Sequence, residues 1–333
     1  MKREVRLLLF GYGRVGRQFA ALVESRRDEV GRRYGVDLRL AAIRTDTQQF
    51  LVQGGGVPPR EGWPENEPLE QFLQRAGAAV ALQAIPSSDA LRPVALEQAL
   101  ASLAAGMDIV SATKSHLVHH WRELAAAAQG SGRRIRISAA TGAALPAADV
   151  ARVSLRGFEC SRIRGCLNGT SSFVLERLEE GSSLAHAVAT AQKLGIAEPD
   201  PRGDLSGSDA ASKIVLLANI LWGLGATIED VRCEPIEEAT AARARQALEG
   251  GRRIRAVARA EAMSGALSVQ IEEILPDDPL YHLHGPEKAV QYDCGEVGQI
   301  VVSGGKSSPL GAAHAMLKDT LDVVLSREAE GFA

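Results

Sequence analysis

The tightest constraint on this chain sits at its start, where Val5-Arg6-Leu7-Leu8-Leu9-Phe10 runs straight into Gly11-Tyr12-Gly13-Arg14-Val15-Gly16. A short apolar run stopped by glycine reads as a buried strand. Val15, Phe19, Leu22 and Val23 then recur at helical spacing. GxGxxG between a strand and a helix describes a phosphate cradle. Gly11 permits the tight turn, Gly13 lets the backbone approach a pyrophosphate, and Gly16 lets helix pack on strand. With Arg14 and Val15 the helix begins, and its N-terminus offers N–H groups and the positive end of its dipole. A plain structural turn can carry the same letters; the position at the head of a β/α alternation points to a dinucleotide.

That alternation continues. Residues 38–43, 78–85, 107–110 and 133–137 read as strands, and helices follow the turn Pro86-Ser87-Ser88-Asp89 and Lys114. Residues 53–68, rich in Gly and Pro, read as a surface loop. Strand and helix in turn imply a parallel sheet covered on both faces. Past residue 140 the texture changes: 184–194 and 206–224 are helical, 253–260 and 267–274 alternate as antiparallel strands do, 299–302 is a last strand and 312–325 a closing helix. A length of 333 residues favours two domains. The expected class is α/β, with a Rossmann-type doubly wound parallel sheet in residues 1–140 and a second, α+β domain in 141–304 that binds substrate and dimerises. The terminal helix, about 305–333, is expected to return to the first domain.

The second strand ends in Arg44-Thr45-Asp46. An acid at that point holds a ribose 2′-hydroxyl and favours NAD, whereas an arginine suits a 2′-phosphate. Arg44 leans the reading to NADP, and Asp46 keeps NAD open. A net charge of −3 with 24% charged residues gives no pull toward nucleic acid or anionic lipid. The N-terminal apolar stretch is too short for a signal peptide, and the run 214–225 is too short to span a bilayer. Cys160, Cys166, Cys233 and Cys294 are scattered without CxxC spacing, as reduced thiols in a cytoplasmic protein would be.

The most informative segment runs from Gly195 to Lys213, GIAEPDPRGDLSGSDAASK. A proline-broken loop carries Glu198 and Asp204, and a helix then begins with Asp209 and Lys213 at i, i+4, on one face. Acids can bind an ammonium group, and a lysine beside them can polarise or protonate an oxygen. The alternative is a helix N-terminus dressed with acids for its dipole plus a surface ion pair. The residues alone leave both open.

Taken together, four elements resemble the homoserine dehydrogenase family. The segment is similar to its AEPDP…D…G.DA..K signature, and Gly165-Cys166-Leu167-Asn168-Gly169-Thr170 to its G.(L/I)NGT element. Ser111-Ala112-Thr113-Lys114 resembles its TANK element, and Thr141-Gly142-Ala143-Ala144-Leu145-Pro146 its VGGGIP element. With the GxGxxG they lie in the family's order and cover nearly the whole chain. The resemblance implies reversible NAD(P)-dependent hydride transfer between L-homoserine and L-aspartate 4-semialdehyde by a homodimer. It makes Lys213 the proton donor and acceptor, sets Lys114 between nicotinamide and substrate, and places Glu198 and Asp209 on the substrate's amino group. Asp204 becomes a further site acid, Gly169 and Thr170 line the substrate pocket, and Ser87 touches cofactor. A lysine partly desolvated near like charges is expected to have a lowered pKa. The competing readings are another amino-acid dehydrogenase of the same build and a catalytically inactive NAD(P)-sensing protein.

The sequence also departs from the family. The element that gives backbone carbonyls to a monovalent cation, sodium, reads Thr141, Ala143 and Leu145, with alanines where the family has glycines. The closing glycine-rich loop near the nicotinamide reads Ser303-Gly304-Gly305-Lys306-Ser307-Ser308-Pro309; Gly305 would line the cofactor, and Lys306 could reach its phosphate or clash with it. Without the ACT domain some relatives carry, no threonine feedback through such a domain is expected. His116, His119 and His120 lack acidic or thiol partners in sequence and carry no metal reading. Cys166 lacks a paired histidine, and Arg243, Arg245, Arg252, Arg253 and Arg255 read as a solvated face.

Overall fold

The computed structural model describes residues 2–54 and 56–330, so positions 331–333 of the expected terminal helix lie outside the described residues. The chain forms two compact units, residues 1–143 with 308–333 and residues 144–307.

The first unit is built on β1 (Arg3–Phe10), β2 (Val36–Arg44), β3 (Gln49–Leu51), β4 (Val80–Gln83), β5 (Asp108–Ser111) and β6 (Ile135–Arg136). Their order is β3-β2-β1-β4-β5-β6, all parallel except β3, which pairs antiparallel with β2 at the edge. This is the doubly wound Rossmann arrangement, and the order reverses between β1 and β4, where such folds bind ligands. The run Leu7-Leu8-Leu9-Phe10 is apolar throughout because β1 is covered on both faces. Leu7 and Leu9 join a core with Phe19, Val23, Val110 and Val323, while Leu8 and Phe10 join another with Phe72, Leu103 and Ile109. The helix Pro309–Glu330 packs on the helix Arg14–Tyr34. The buried Asp319 fixes it, accepting from the backbone N–H and hydroxyl of Ser138, both at 2.8 Å.

Three local expectations shift here. The first helix runs to Tyr34, well past the apolar stripe, because the charged stretch after Arg26 stays helical until Gly35 closes it at φ 70°. The strand expected at 133–137 shrinks to Ile135–Arg136. The loop at 53–68 is not purely surface: Trp63 is buried and stacks on Phe50 at 5.3 Å.

In the second unit β7 (Arg162–Cys166), β8 (Val231–Cys233), β9 (Arg253–Glu261), β10 (Leu267–Ile274), β11 (Ala289–Asp293) and β12 (Gln299–Ser303) are ordered β12-β11-β7-β9-β10-β8. Pairing is antiparallel except between β8 and β10. The helix Ser208–Trp222 packs over β7, β9 and β10, and the helix Gly169–Glu179 over β9. This α+β unit corrects one expectation. Arg255 is no surface cation: at 1% exposure it donates to Glu179 and to the carbonyls of Ile254, Leu280, Tyr281 and Leu283. A guanidinium has five donors, so it can be buried where carbonyls and a carboxylate converge.

Among the described residues no helix is long and apolar enough to cross a membrane, and all four cysteines are free thiols. His116 is fully buried, and neither ring nitrogen has a hydrogen-bond partner. Burial first, and then His120, push its pKa from 6.5 down to about 3. Since the folded value lies below the unfolded one, the unfolded chain binds the proton first. Stability is therefore whole above pH 6.5 and falls as pH drops toward 3, by up to about 1.4 kcal/mol per pH unit. His116→Leu is expected to flatten that slope. Urea midpoints of both proteins at neutral and mildly acidic pH check it, and parallel slopes would refute it.

Candidate active site

The cradle forms as glycine chemistry demands. Gly11 holds φ 90°, and a Cβ there would lie 2.5 Å from the Ala84 carbonyl oxygen. A Cβ on Gly16 would lie 2.2 Å from the Gly11 carbonyl oxygen. Gly13 meets nothing within 4 Å, so its face is open to a close-approaching phosphate. Gly13 caps the helix Arg14–Tyr34 without a side-chain hydrogen bond, and the first turn contains no acid. A pyrophosphate therefore fits this helix N-terminus. Arg14 is exposed and Val15 half-buried in the same turn.

At the end of β2, Arg44 donates to Gln49 Oε1 at 2.8 Å and lies over the Phe72 ring at 5.4 Å. Asp46 is paired with Arg60 Nη2 at 2.7 Å, an arginine that no motif had singled out. After β4 and β5 the backbone is knitted by Thr113. Its hydroxyl donates to the Ile85 carbonyl at 2.8 Å and accepts from the Ile85 N–H at 3.0 Å. The clamp sets the Lys114 N–H on Ser87 Oγ at 2.8 Å, so Ser87 and Lys114 are neighbours.

In the second unit, the register of one helix and one cap assembles the acid–lysine cluster. Lys213 Nζ donates to Asp209 Oδ2 at 2.5 Å and to the Leu167 carbonyl at 2.8 Å, its side chain 11% exposed. Asn168 ties the acids together, its Nδ2 donating to Asp204 Oδ1 at 2.6 Å and to Asp209 Oδ2 at 2.7 Å. Asn168 Oδ1 also caps the helix Gly169–Glu179 by accepting from the Ser171 N–H at 2.8 Å. One asparagine thus closes a helix and bridges two carboxylates. Its place before Gly169 is an N-cap signal, but its reach across 36 positions is invisible in sequence.

Desolvation raises the Asp204 carboxyl's pKa, against the lowering hydrogen bond from Asn168. A half-buried carboxylate in that state gains from a cation placed beside it. Thr170 is buried and donates to the Ile196 carbonyl at 3.2 Å, and a Cβ on Gly169 would lie 2.7 Å from the Pro286 carbonyl oxygen.

Glu198 is not drawn into the cluster: its side chain is exposed, and Gln192 holds its backbone carbonyl at 3.3 Å. Lys306 is exposed, and Gly305, at φ 67°, packs so closely on Leu145 that a Cβ would lie 2.7 Å from the Leu145 nitrogen. Leu145 already accepts from the Ala147 N–H at 2.9 Å. Thr141 is buried, and Ala143 sits in left-handed backbone at φ 52°. No cluster of three or more His, Cys, Asp or Glu that could hold a metal occurs among the described residues. Burial pushes the Cys166 thiol up to about 12, which leaves no thiolate nucleophile near neutral pH.

A doubly wound sheet with an open phosphate cradle, joined in one chain to a lysine braced by acids, is the equipment of a nicotinamide-dependent oxidoreductase acting on a CH–OH group. The homoserine dehydrogenase family model matches residues 146–321, and the chain belongs to that family. It is 29% identical to the homoserine dehydrogenase of Corynebacterium glutamicum over 99% of this chain and 74% of that one. Identity is 28% with the Methanocaldococcus jannaschii enzyme, over 95% and 98%. It is 27% with an NAD(+)-dependent homoserine dehydrogenase of Pseudomonas canavaninivorans, over 96% of each chain. A solved homoserine dehydrogenase from Thiobacillus denitrificans superposes with TM-score 0.85 at 25% identity, over 98% of this chain and 74% of that one. A hyperthermophilic archaeal homoserine dehydrogenase in complex with NADPH shares the fold, with TM-score 0.82 at 22% identity, over 97% and 98%.

Proposed function

We propose that the Lys213–Asp209–Asn168–Asp204 network is the proton-handling and ammonium-binding centre of the chain's homoserine dehydrogenase reaction. The reaction passes a hydride between L-homoserine and L-aspartate 4-semialdehyde with NAD or NADP. The observation that carries this assignment is the double anchoring of Lys213 Nζ, by Asp209 and the Leu167 carbonyl.

An ammonium has three N–H bonds, so two anchors leave one for a reacting oxygen. In the reducing direction Lys213 protonates the oxygen of the former aldehyde; in the oxidising direction it takes the hydroxyl proton back. Asp209 holds that nitrogen in place, and Asp204 meets the substrate's ammonium. Thr170 and Gly169 line the same pocket, and Glu198, exposed on its loop, is the further acid assigned to that ammonium. Bound nicotinamide supplies the hydride acceptor at its C4. The residues that would hold the dinucleotide are Gly11, Gly13, Arg14, Val15 and Gly16 at the phosphates, Ser87 and Lys114 toward the ring, and Gly305 and Lys306 in the closing loop. In this reading the cradle serves the dinucleotide and the acid–lysine cluster serves the substrate. Turnover of L-homoserine, followed by reduced-nicotinamide absorbance with each cofactor, tests it; no turnover with either sinks it.

NADP is the proposed preferred cofactor. Asp46 is engaged by Arg60, so the acid that would hold a ribose diol is already neutralised, while Arg44 stands at the strand end. Arg44→Ala is expected to weaken NADPH binding about 10- to 100-fold and NADH binding far less. Fluorescence titration with both checks this, and equal losses refute it. A sodium ion on the carbonyls of Thr141, Ala143 and Leu145 belongs to the same reading. It is supported by Ala143, the one non-glycine residue with positive φ among the described residues. A homodimer fits the edge strand β12, where Val301 is 40% exposed. The free thiols fit a cytoplasmic setting.

A further inference from the structure

Close to that cluster lies a buried charge that the proton transfer does not use. Lys288 precedes β11, is 1% exposed, and belongs to no motif. Antiparallel pairing sets Ala289 opposite Cys166, so the next step along each strand brings Lys288 beside Leu167, the residue whose carbonyl holds Lys213 Nζ. From the other side, the Gly304 N–H donates to the Lys288 carbonyl at 3.0 Å and pins the backbone. Both members of the catalytic pair feel the ammonium, Lys213 opposing its charge and Asp209 favouring it, and burial is the largest cause pushing its pKa down to about 8.

A buried ammonium beside a pocket strongly favours an anion brought next to it. The substrate of the reaction above carries two opposite charges on one carbon. Asp204 and Asp209 suit its ammonium, but to its carboxylate they offer only repulsion. Lys288 is a cation within electrostatic reach of this cluster that the proton transfer leaves available to the carboxylate. Resting on the homoserine reading, we propose that Lys288 pairs with the substrate's α-carboxylate, making it the residue that selects an α-amino acid over a simple amino alcohol.

The test compares wild type, Lys288→Met and Lys288→Arg on L-homoserine and on 3-amino-1-propanol, which lacks only the carboxylate. Wild type is expected to favour homoserine in kcat/KM. Lys288→Met is expected to raise the homoserine KM about 10- to 100-fold with kcat within about threefold, while kcat/KM for the amino alcohol holds. Lys288→Arg, which keeps the charge, is expected to recover most of the preference. If Lys288→Met keeps the wild-type ratio between substrates, or loses kcat on both alike, the proposal is overturned. Lys288→Gln carries the same readout should the methionine variant not fold. Failure of wild type to oxidise homoserine strikes the functional reading itself and so is distinguishable from failure of the Lys288 assignment.

Discussion

Lys213→Ala is expected to lower kcat for homoserine oxidation by about 10³-fold or more while NADPH affinity stays within about twofold. The nitrogen lost is one that two groups hold, Asp209 at 2.5 Å and the Leu167 carbonyl at 2.8 Å, in a side chain only 11% exposed. Such bracing matters because proton transfer rewards a fixed donor; a mobile surface lysine spreads the same charge over many rotamers. Truncation also removes one of the donors that hold Asp209, which Asn168 likewise grips at 2.7 Å, so some loss of stability accompanies the loss of rate. Stopped-flow hydride transfer and a cofactor titration on the same preparation separate the two. A variant with near-normal kcat moves the proton elsewhere, and one that loses cofactor affinity as strongly as rate places Lys213 in the wrong role.

The second large effect is expected at Gly11. Gly11→Ala should both unfold the cradle and abolish dinucleotide binding, because it combines φ 90° with a Cβ 2.5 Å from the Ala84 oxygen and 2.7 Å from its carbonyl carbon. Those neighbours are backbone just past β4, so no side chain can swing aside. Left-handed strain and the clash together cost about 3 kcal/mol or more. Gly13→Ala provides the contrast: with nothing within 4 Å of its Cβ, folding should be near normal and only pyrophosphate affinity should fall. Thermal unfolding and NADPH titration of the two variants read both quantities. If Gly13→Ala bound NADPH as tightly as wild type, the phosphates would not approach that turn.

Much of this was legible in the chain because the governing interactions are short. β1 with its glycine turn, and Asp209 with Lys213 one helical turn apart, each announce themselves within a few residues. So does the alternation that makes a parallel sheet. Where sequence reading stopped short, a polar run misled it. The apolar stripe stops at Val23, yet the helix continues to Tyr34, because Val30 and Gly31 are buried on its inner side.

What the sequence by itself determined is the Rossmann cradle, the second-unit helix carrying the lysine, and the family to which both belong, since local periodicity and glycine geometry suffice for these. Only the tertiary structure decided that Asn168 bridges Asp204 and Asp209, that Arg255 is buried on Glu179, that Glu198 faces outward, and that Lys288 lies inside beside Leu167. The physical reason is the same each time. Whether a charged side chain is buried depends on donors and acceptors that come from strands and helices distant in the chain.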